Sequence, residues 1–247
     1  MFGRGDSSYL WLGVVVLCLG GWYHFAGHPK LRAVYVVPKD VTPRTEFPEA
    51  ARRAFVTTQR WYYDELGKGV TFALADPLVE MVQTDHPEDW YRAAAGQRGD
   101  REALWDATVG EASQLAGNPF DRGRYVWVYF LDVDLPAIPA QGTSGEALLL
   151  RREIDNIIDP PARCETDGTI AHELGHAFGV DHPGDCDSTT RDESNPACSS
   201  MSYSGSYDFP RARFMPEERR RLLRNSAFLS IEPETRQIEC LNQPELR

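Results

Sequence analysis

Three histidines and one glutamate fall at fixed offsets in the stretch AHELGHAFGVDH. His172 and His176 are four residues apart, so on a helix their side chains project from one face and two imidazole nitrogens can converge on a zinc ion. Glu173 lies beside the first histidine, and its carboxylate can take a proton from a zinc-bound water and return it to a leaving amine. Gly179 permits the sharp turn that brings His182 back as a third ligand. Three protein ligands leave one position open, which is typical of a catalytic zinc.

Two other interpretations of this stretch remain open. The histidines could be satisfied core residues on an amphipathic helix, or they could bind zinc in a protein without activity. Glu173 disfavours the second interpretation because an inactive relative usually lacks that base. The other histidines of the chain are His24, His28 and His86, and we assign them no role.

The stretch HELGHAFGVDH resembles the long zinc motif of the metzincin metalloproteases, HExxHxxGxxH followed by a turn that contains methionine. Downstream, CSSMSYSG supplies Met201, nineteen residues after His182. Its MSY triplet is similar to that turn in the serralysin and astacin branches. The resemblance implies that Met201 forms a floor under the zinc site. It also implies that Tyr203 binds zinc as a fifth ligand and then moves to stabilise the transition state. A core methionine and a surface tyrosine are the simpler alternatives.

The same resemblance implies a zinc-dependent endopeptidase with one catalytic Zn²⁺ and a peptide or protein substrate. The alternative is a catalytically inactive zinc-binding module that recognises peptides while tethered to a membrane. The sequence carries no glycine-rich calcium-binding repeats, so it does not indicate a serralysin proper. Calcium could bind the acidic side chains of the 183–200 loop, namely Asp185, Asp187 and Asp192, but a solvated disulfide loop is favoured there. We expect residues 183–214 to shape the pocket beside the scissile bond.

The elements around the motif predict a mixed α/β (α+β) protein. The resemblance makes this a metzincin-like zincin fold with a twisted mixed sheet, an active-site helix at 166–179, a Met-turn and a C-terminal helix at 215–229. Apolar and β-branched runs predict strands, and three- and four-residue periodicity predicts two more helices. The strands are at 32–38, 70–83 and 124–134, and the helices are at 46–66 and 100–116. The run at 144–151 is the expected edge strand, along which the resemblance places an extended peptide.

The N-terminus carries a targeting signal. Residues 9–23, YLWLGVVVLCLGGWY, are uncharged, and with the next four residues they approach the length of about 20 that a spanning helix needs. An uncleaved signal-anchor is favoured over a cleaved signal peptide, because a good cleavage site is lacking. We therefore divide the chain into this segment, 1–29, and one domain, 30–247. Lys30 and Arg32 mildly place the C-terminal side in the cytoplasm, whereas the cysteines indicate the opposite side.

Apart from Cys18 in the apolar segment, the chain has four cysteines, an even number that is typical of an oxidising compartment. We favour pairing Cys186 with Cys198, which closes a short polar loop, and Cys164 with Cys240, which ties down the C-terminal tail. Free thiols and a second metal site are the alternatives, although no CxxC pair is present. The cysteines predict an extracytoplasmic protein, anchored in the membrane if the N-terminal segment stays and secreted if it is removed.

Length and charge limit the remaining classes of function. The 247 residues are enough for one sizeable domain, and an apolar content of 42% predicts a packed core. The net charge of -11 argues against a nucleic-acid-binding protein, which would need a basic face for the phosphates.

Overall fold

The structure is a computed structural model that describes residues 27–96, 100–116, 123–136, 140–159, 163–182, 201 and 209–238. Within these residues, no helix has the length and apolar character needed to cross a membrane. The N-terminal segment predicted at 1–29 lies almost wholly outside the described part. Also outside the described part are the acidic 183–200 loop, Tyr203, Cys240 and the side chain of Cys164; the loop includes Cys186 and Cys198.

Six strands form one mixed sheet. They are β1 (Lys30–Val37), β2 (Thr71–Gln83), β3 (Tyr125–Leu131), β4 (Gln141–Thr143), β5 (Glu146–Leu150) and β6 (Phe228–Leu229). Their order across the sheet is β4–β5–β3–β1–β2–β6. The four central strands are parallel, while β4 and β6 pair antiparallel at the two sides. The register of β1 against β2 shifts between Leu31 and Ala33, opposite the Asp76–Pro77 dipeptide that interrupts the apolar pattern of β2.

In the described part of the chain, six helices cover the two faces of the sheet. They are α1 (Phe47–Leu66), α2 (Glu88–Ala95), α3 (Arg101–Leu115), α4 (Arg151–Ile158), α5 (Arg163–Ala177) and α6 (Pro216–Leu222). The central strands are apolar on both faces, as expected for parallel strands that are covered twice. In β1, for example, Tyr35 points into the core under α1, α4 and α5, and Val34 points into the core under α2 and α3.

A buried ion network joins the carboxyl ends of β1 and β3 to α4. Asp132 is fully buried and accepts hydrogen bonds from the Tyr35 hydroxyl (2.6 Å) and Arg151 Nε (2.6 Å). Arg44 Nε lies 3.4 Å from Asp132 Oδ2, and Arg151 also donates a hydrogen bond to Glu88 at 2.9 Å. Pairing of this kind offsets the cost of burying a carboxylate. The network therefore fixes α2 and α4 against the sheet.

The prediction of an edge strand at 144–151 was wrong. β5 lies within the sheet, because it pairs with β3 on one side and with β4 on the other. Its sequence EALLL is buried at every position, which suits an interior strand. The short polar strand β4 lies at the edge instead. The predicted C-terminal helix at 215–229 was too long, since α6 ends at Leu222 and the chain then turns into β6.

Candidate metal centre

The helix α5 carries His172, Glu173 and His176, and the side chains of Tyr62 and Met201 pack against it. The Tyr62 hydroxyl donates a hydrogen bond to the Ala171 carbonyl at 2.8 Å. Met201 is fully buried and lies directly under Gly175. A Cβ atom at position 175 would lie 2.1 Å from the Met201 sulfur, so any larger residue there would require the Met201 side chain to move. The methionine thus supports the helix turn between the two histidines.

The three histidines of the motif converge on one point. The Nε2 atoms of His172, His176 and His182 lie 3.0, 3.1 and 3.2 Å from one another. Zinc binds imidazole nitrogens at about 2.0–2.1 Å, which puts neighbouring ligands of a tetrahedral ion roughly 3.3 Å apart. If all three Nε2 atoms are unprotonated, their lone pairs repel one another at the observed spacing, and a cation between them removes this repulsion. The donor set and its spacing therefore fit a zinc ion.

The end of α5 brings His182 to the other two histidines. Gly179 has a φ of +85°, its N–H donates to the His176 carbonyl (2.8 Å), and the Val180 N–H donates to the Gly175 carbonyl (2.9 Å). This is the Schellman arrangement, which ends a helix and reverses the chain. The Val180 carbonyl in turn lies 2.7 Å from His176 Nδ1. A proton on Nδ1 satisfies that carbonyl and leaves Nε2 free to bind a metal.

Glu173 is buried beside the histidines. It is 6% exposed, and its Oε2 atom has no hydrogen-bond partner among the described residues. Burial raises the pKa of Glu173 to about 8, the Glu153 carboxylate adds to the rise, and the guanidinium of Arg101 opposes it. Burial also lowers the pKa of His176, which favours the neutral imidazole that a metal requires. An unpaired buried carboxylate next to three convergent imidazoles is suited to proton transfer.

The edge strand β4 packs directly against this part of α5. A Cβ atom at position 142 would lie 2.6 Å from the Glu173 carbonyl oxygen, 2.7 Å from His176 Cβ and 3.0 Å from Glu173 Oε2. Gly142 is therefore needed for the close approach of strand and helix. The Gly145 N–H, in the turn between β4 and β5, donates to the Ala177 carbonyl at 2.8 Å. The strand and the site are thus in direct contact.

Two cavities adjoin the histidines. A cleft of about 100 Å³ lies over them and is also lined by Gly142, Glu173 and Arg101. A larger cavity of about 620 Å³ lies between the turn at His182 and the start of α6, where Met215 and Glu217 form its wall. The described part of this wall comes from 180–182 and 215–221, whereas most of the predicted region 183–214 lies outside the described residues.

The structure thus brings together four residues of the sequence motif and places Met201 beneath them. Sequence reasoning missed Gly142 and Arg101. Neither belongs to a recognisable motif, and both reach the site only because β4 and the start of α3 fold against it.

Comparisons with known proteins show which structures and sequences this chain resembles. No protein-family profile matches the sequence. OgpA from Akkermansia muciniphila has a similar structure, with a TM-score of 0.58 and 17% identity over 84% of this chain and 63% of that one. Catalytically inactive OgpA, solved with an O-glycopeptide substrate (glycodrosocin), gives a TM-score of 0.57 and 14% identity over the same shares, 84% and 63%. Serralysin C from Dickeya chrysanthemi is 33% identical over 66 residues, which are 27% of this chain and 13% of that protein.

The fold and the histidine cluster agree with the sequence analysis. The chain has a mixed α/β, zincin-like fold, as the sequence predicted, and three of its histidines are placed to hold a metal ion. It spans less than two thirds of OgpA and a small part of serralysin C.

Proposed function

We propose that this protein is a zinc-dependent endopeptidase of the metzincin type. One observation carries the proposal: the Nε2 atoms of His172, His176 and His182 converge within 3.2 Å of one another, beside the buried and unpaired Oε2 atom of Glu173. The similarity to OgpA and the short match to serralysin C support it.

In this proposal the three histidines hold the zinc ion through Nε2. When bound, zinc lowers the pKa of a water molecule towards neutrality and polarises the scissile carbonyl. Glu173 accepts the proton of the attacking water on Oε2 and returns it to the leaving amine. A cation on the histidines opposes the rise in the pKa of Glu173 that burial causes, so it favours the carboxylate form that acts as the base. Tyr203 is the proposed oxyanion-stabilising residue.

The proposed substrate is a peptide or protein that binds in extended form along β4. This strand pairs with β5 on one side only within the described sheet, and its Gly142 touches the helix that carries Glu173. Main-chain pairing at a free strand edge is a general way to hold a peptide. The cavity beside His182 can take a side chain of the substrate. OgpA has been solved with an O-glycopeptide substrate, which is consistent with a peptide substrate here.

We also propose an extracytoplasmic location. Its support is the sequence alone: an apolar segment at 9–27 and an even set of four cysteines in the domain. The segment would anchor the protein in the membrane if it is retained, and the proposed pairs Cys186–Cys198 and Cys164–Cys240 would form in that compartment.

Two variants of the full chain test the proposed function. Glu173→Gln should bind zinc as well as the parent protein does and lose nearly all hydrolysis of a peptide library. His182→Ala should lose zinc affinity. Glu49→Gln, on the exposed first turn of α1, is the matched control and should keep both properties. Hydrolysis by Glu173→Gln at the parent rate would refute the proposed role of Glu173, and unchanged zinc content in His182→Ala would remove the third ligand.

A further inference from the structure

Arg101 is a cation placed at the mouth of the metal centre. It is the first residue of α3, it is exposed, and it lines the same cleft as Gln141, Gly142, Glu173 and the three histidines. Among the described residues that line this cleft, it is the one with a permanent positive charge. It lies close enough to Glu173 to act on that carboxylate electrostatically.

Arg101 has no hydrogen bond or ion pair within the described part of the chain, and its action on Glu173 is purely electrostatic. Two other helix arginines are paired with carboxylates of their own helix. Arg60 donates to Asp64 at 2.9 Å, and Arg92 donates to Glu88 at 2.7 Å. The guanidinium of Arg101 is thus available to a ligand.

The position of Arg101 is also unfavourable for helix stability. The N-terminus of a helix carries a partial positive charge, so a cation in the first turn is disfavoured there. Asp100 caps α3 by accepting from the Ala103 N–H at 3.0 Å, and this cap does not need Arg101. Helix capping therefore gives no reason for an arginine at this position, and a ligand in the cleft would supply one beside its long-range action on Glu173.

We infer that Arg101 binds a carboxylate of the peptide substrate and makes the protein selective for an acidic group close to the scissile bond. This inference rests on the proposed function. A guanidinium binds a carboxylate through two parallel hydrogen bonds, which gives both affinity and orientation. Without such a cation, Glu173 would repel an anionic group in this cleft. An Asp or Glu side chain and a free C-terminal carboxylate share this chemistry, and they are separated in the test below.

Binding to the full-length zinc-loaded Glu173→Gln variant tests the inference without turnover. Short fluorescent peptides would carry Glu, Gln or Lys at each position in turn, with a free or an amidated C-terminus. We expect a Kd at least about tenfold lower for the acidic peptide at one position, which is typical of a charge-assisted pair. If the bound group is the terminal carboxylate, amidation weakens binding by a similar factor whichever residue is varied; if it is the side chain, replacing Glu by Gln weakens binding and amidation does not.

Three further variants in the same background decide the role of Arg101. Arg101→Gln should abolish the preference for Glu over Gln, and Arg101→Glu should shift it towards Lys. Arg53→Gln, which removes an exposed arginine of α1, is the matched control and should keep the preference. Equal binding of the three peptides by the parent variant with no effect of amidation, or a preference for a carboxylate that survives in Arg101→Gln, would overturn the inference.

Cleavage of the same peptides by the chain with Glu173 intact separates this inference from the proposed function. Arg101-dependent binding without any cleavage would leave the inference standing and remove the peptidase proposal. Cleavage with no dependence on peptide charge would support the peptidase proposal and remove the inference about Arg101.

Discussion

The close packing of β4 against α5 makes Gly142→Ala a sensitive test of the site. The added Cβ would meet the Glu173 carbonyl oxygen at 2.6 Å and His176 Cβ at 2.7 Å. Ordinary contact needs about 3.5–4.0 Å, so strand and helix must separate by roughly 1 Å. The obstructing atoms belong to the helix backbone and to a Cβ, which cannot rotate out of the way. The substitution must therefore move the residues that are proposed to act on the substrate.

We expect two consequences of Gly142→Ala. Overpacking of this kind costs about 1–3 kcal/mol of the free energy of unfolding. A displacement of a reacting group by about 1 Å costs roughly a hundredfold in rate. Denaturant unfolding of the variant measures the first effect, and kcat/KM of the zinc-loaded protein on a cleaved peptide measures the second.

Gly110→Ala is the matched control for this substitution. Gly110 lies inside α3, and a Cβ there would have no described atom within 4 Å. Since alanine is favoured over glycine in a helix by about 1 kcal/mol, this variant should be at least as stable as the parent protein and equally active. If Gly142→Ala matched the control in both measurements, the direct contact between β4 and α5 would be refuted.

Three other perturbations have defined outcomes. Asp132→Ala should lower the free energy of unfolding by about 3–5 kcal/mol in a denaturant titration, because it removes the acceptor of the buried Tyr35 hydroxyl and a carboxylate that pairs with Arg151 and Arg44; a loss under about 1 kcal/mol would contradict the network. Gly175→Ala should destabilise the protein by collision with the Met201 sulfur. Adding Met201→Ala should recover part of this loss in a double-mutant cycle, whereas additive losses would show that the two residues do not touch. In the chelated protein, folded Glu173 holds a proton that the unfolded chain releases, since burial raises its pKa from 4.5 to about 8. The free energy of unfolding should therefore fall by roughly 5 kcal/mol as pH rises across that window, and Glu173→Gln should lack this part of the fall; identical pH profiles would contradict the burial of this group.

Strong periodic patterns allowed much of the fold to be predicted. The predicted helix at 46–66 corresponds to α1 and the predicted strand at 124–134 to β3, with differences of a few residues at the ends. Both segments bury apolar side chains along their whole length, so local pattern and tertiary environment agree. The motif helix also lies close to its predicted span of 166–179.

Two helices were missed for physical reasons. α2 has only eight residues and begins after Pro87, so its periodic signal is short. α4 follows β5 without a loop, since Leu150 ends the strand and Arg151 begins the helix. The spacing of Ile154, Ile157 and Ile158 is a helical signal that could have located it.

The contacts around the motif could not be predicted from the sequence. The approach of Gly142 to Glu173 depends on how β4 packs across the sheet, and the place of Arg101 depends on where α3 begins relative to α5. These contacts join residues far apart in the chain, and no local pattern encodes them.

A zinc titration of the chelated full-length protein tests the central claim most directly. Hydrolysis of a peptide library would be followed as zinc is added, with bound metal measured in the same samples. We predict that activity rises in proportion to bound zinc and stops rising at one ion per chain, held by His172, His176 and His182. Hydrolysis that persists in the metal-free protein, or a protein that binds one zinc ion through these histidines and cleaves no peptide, would contradict the proposed function.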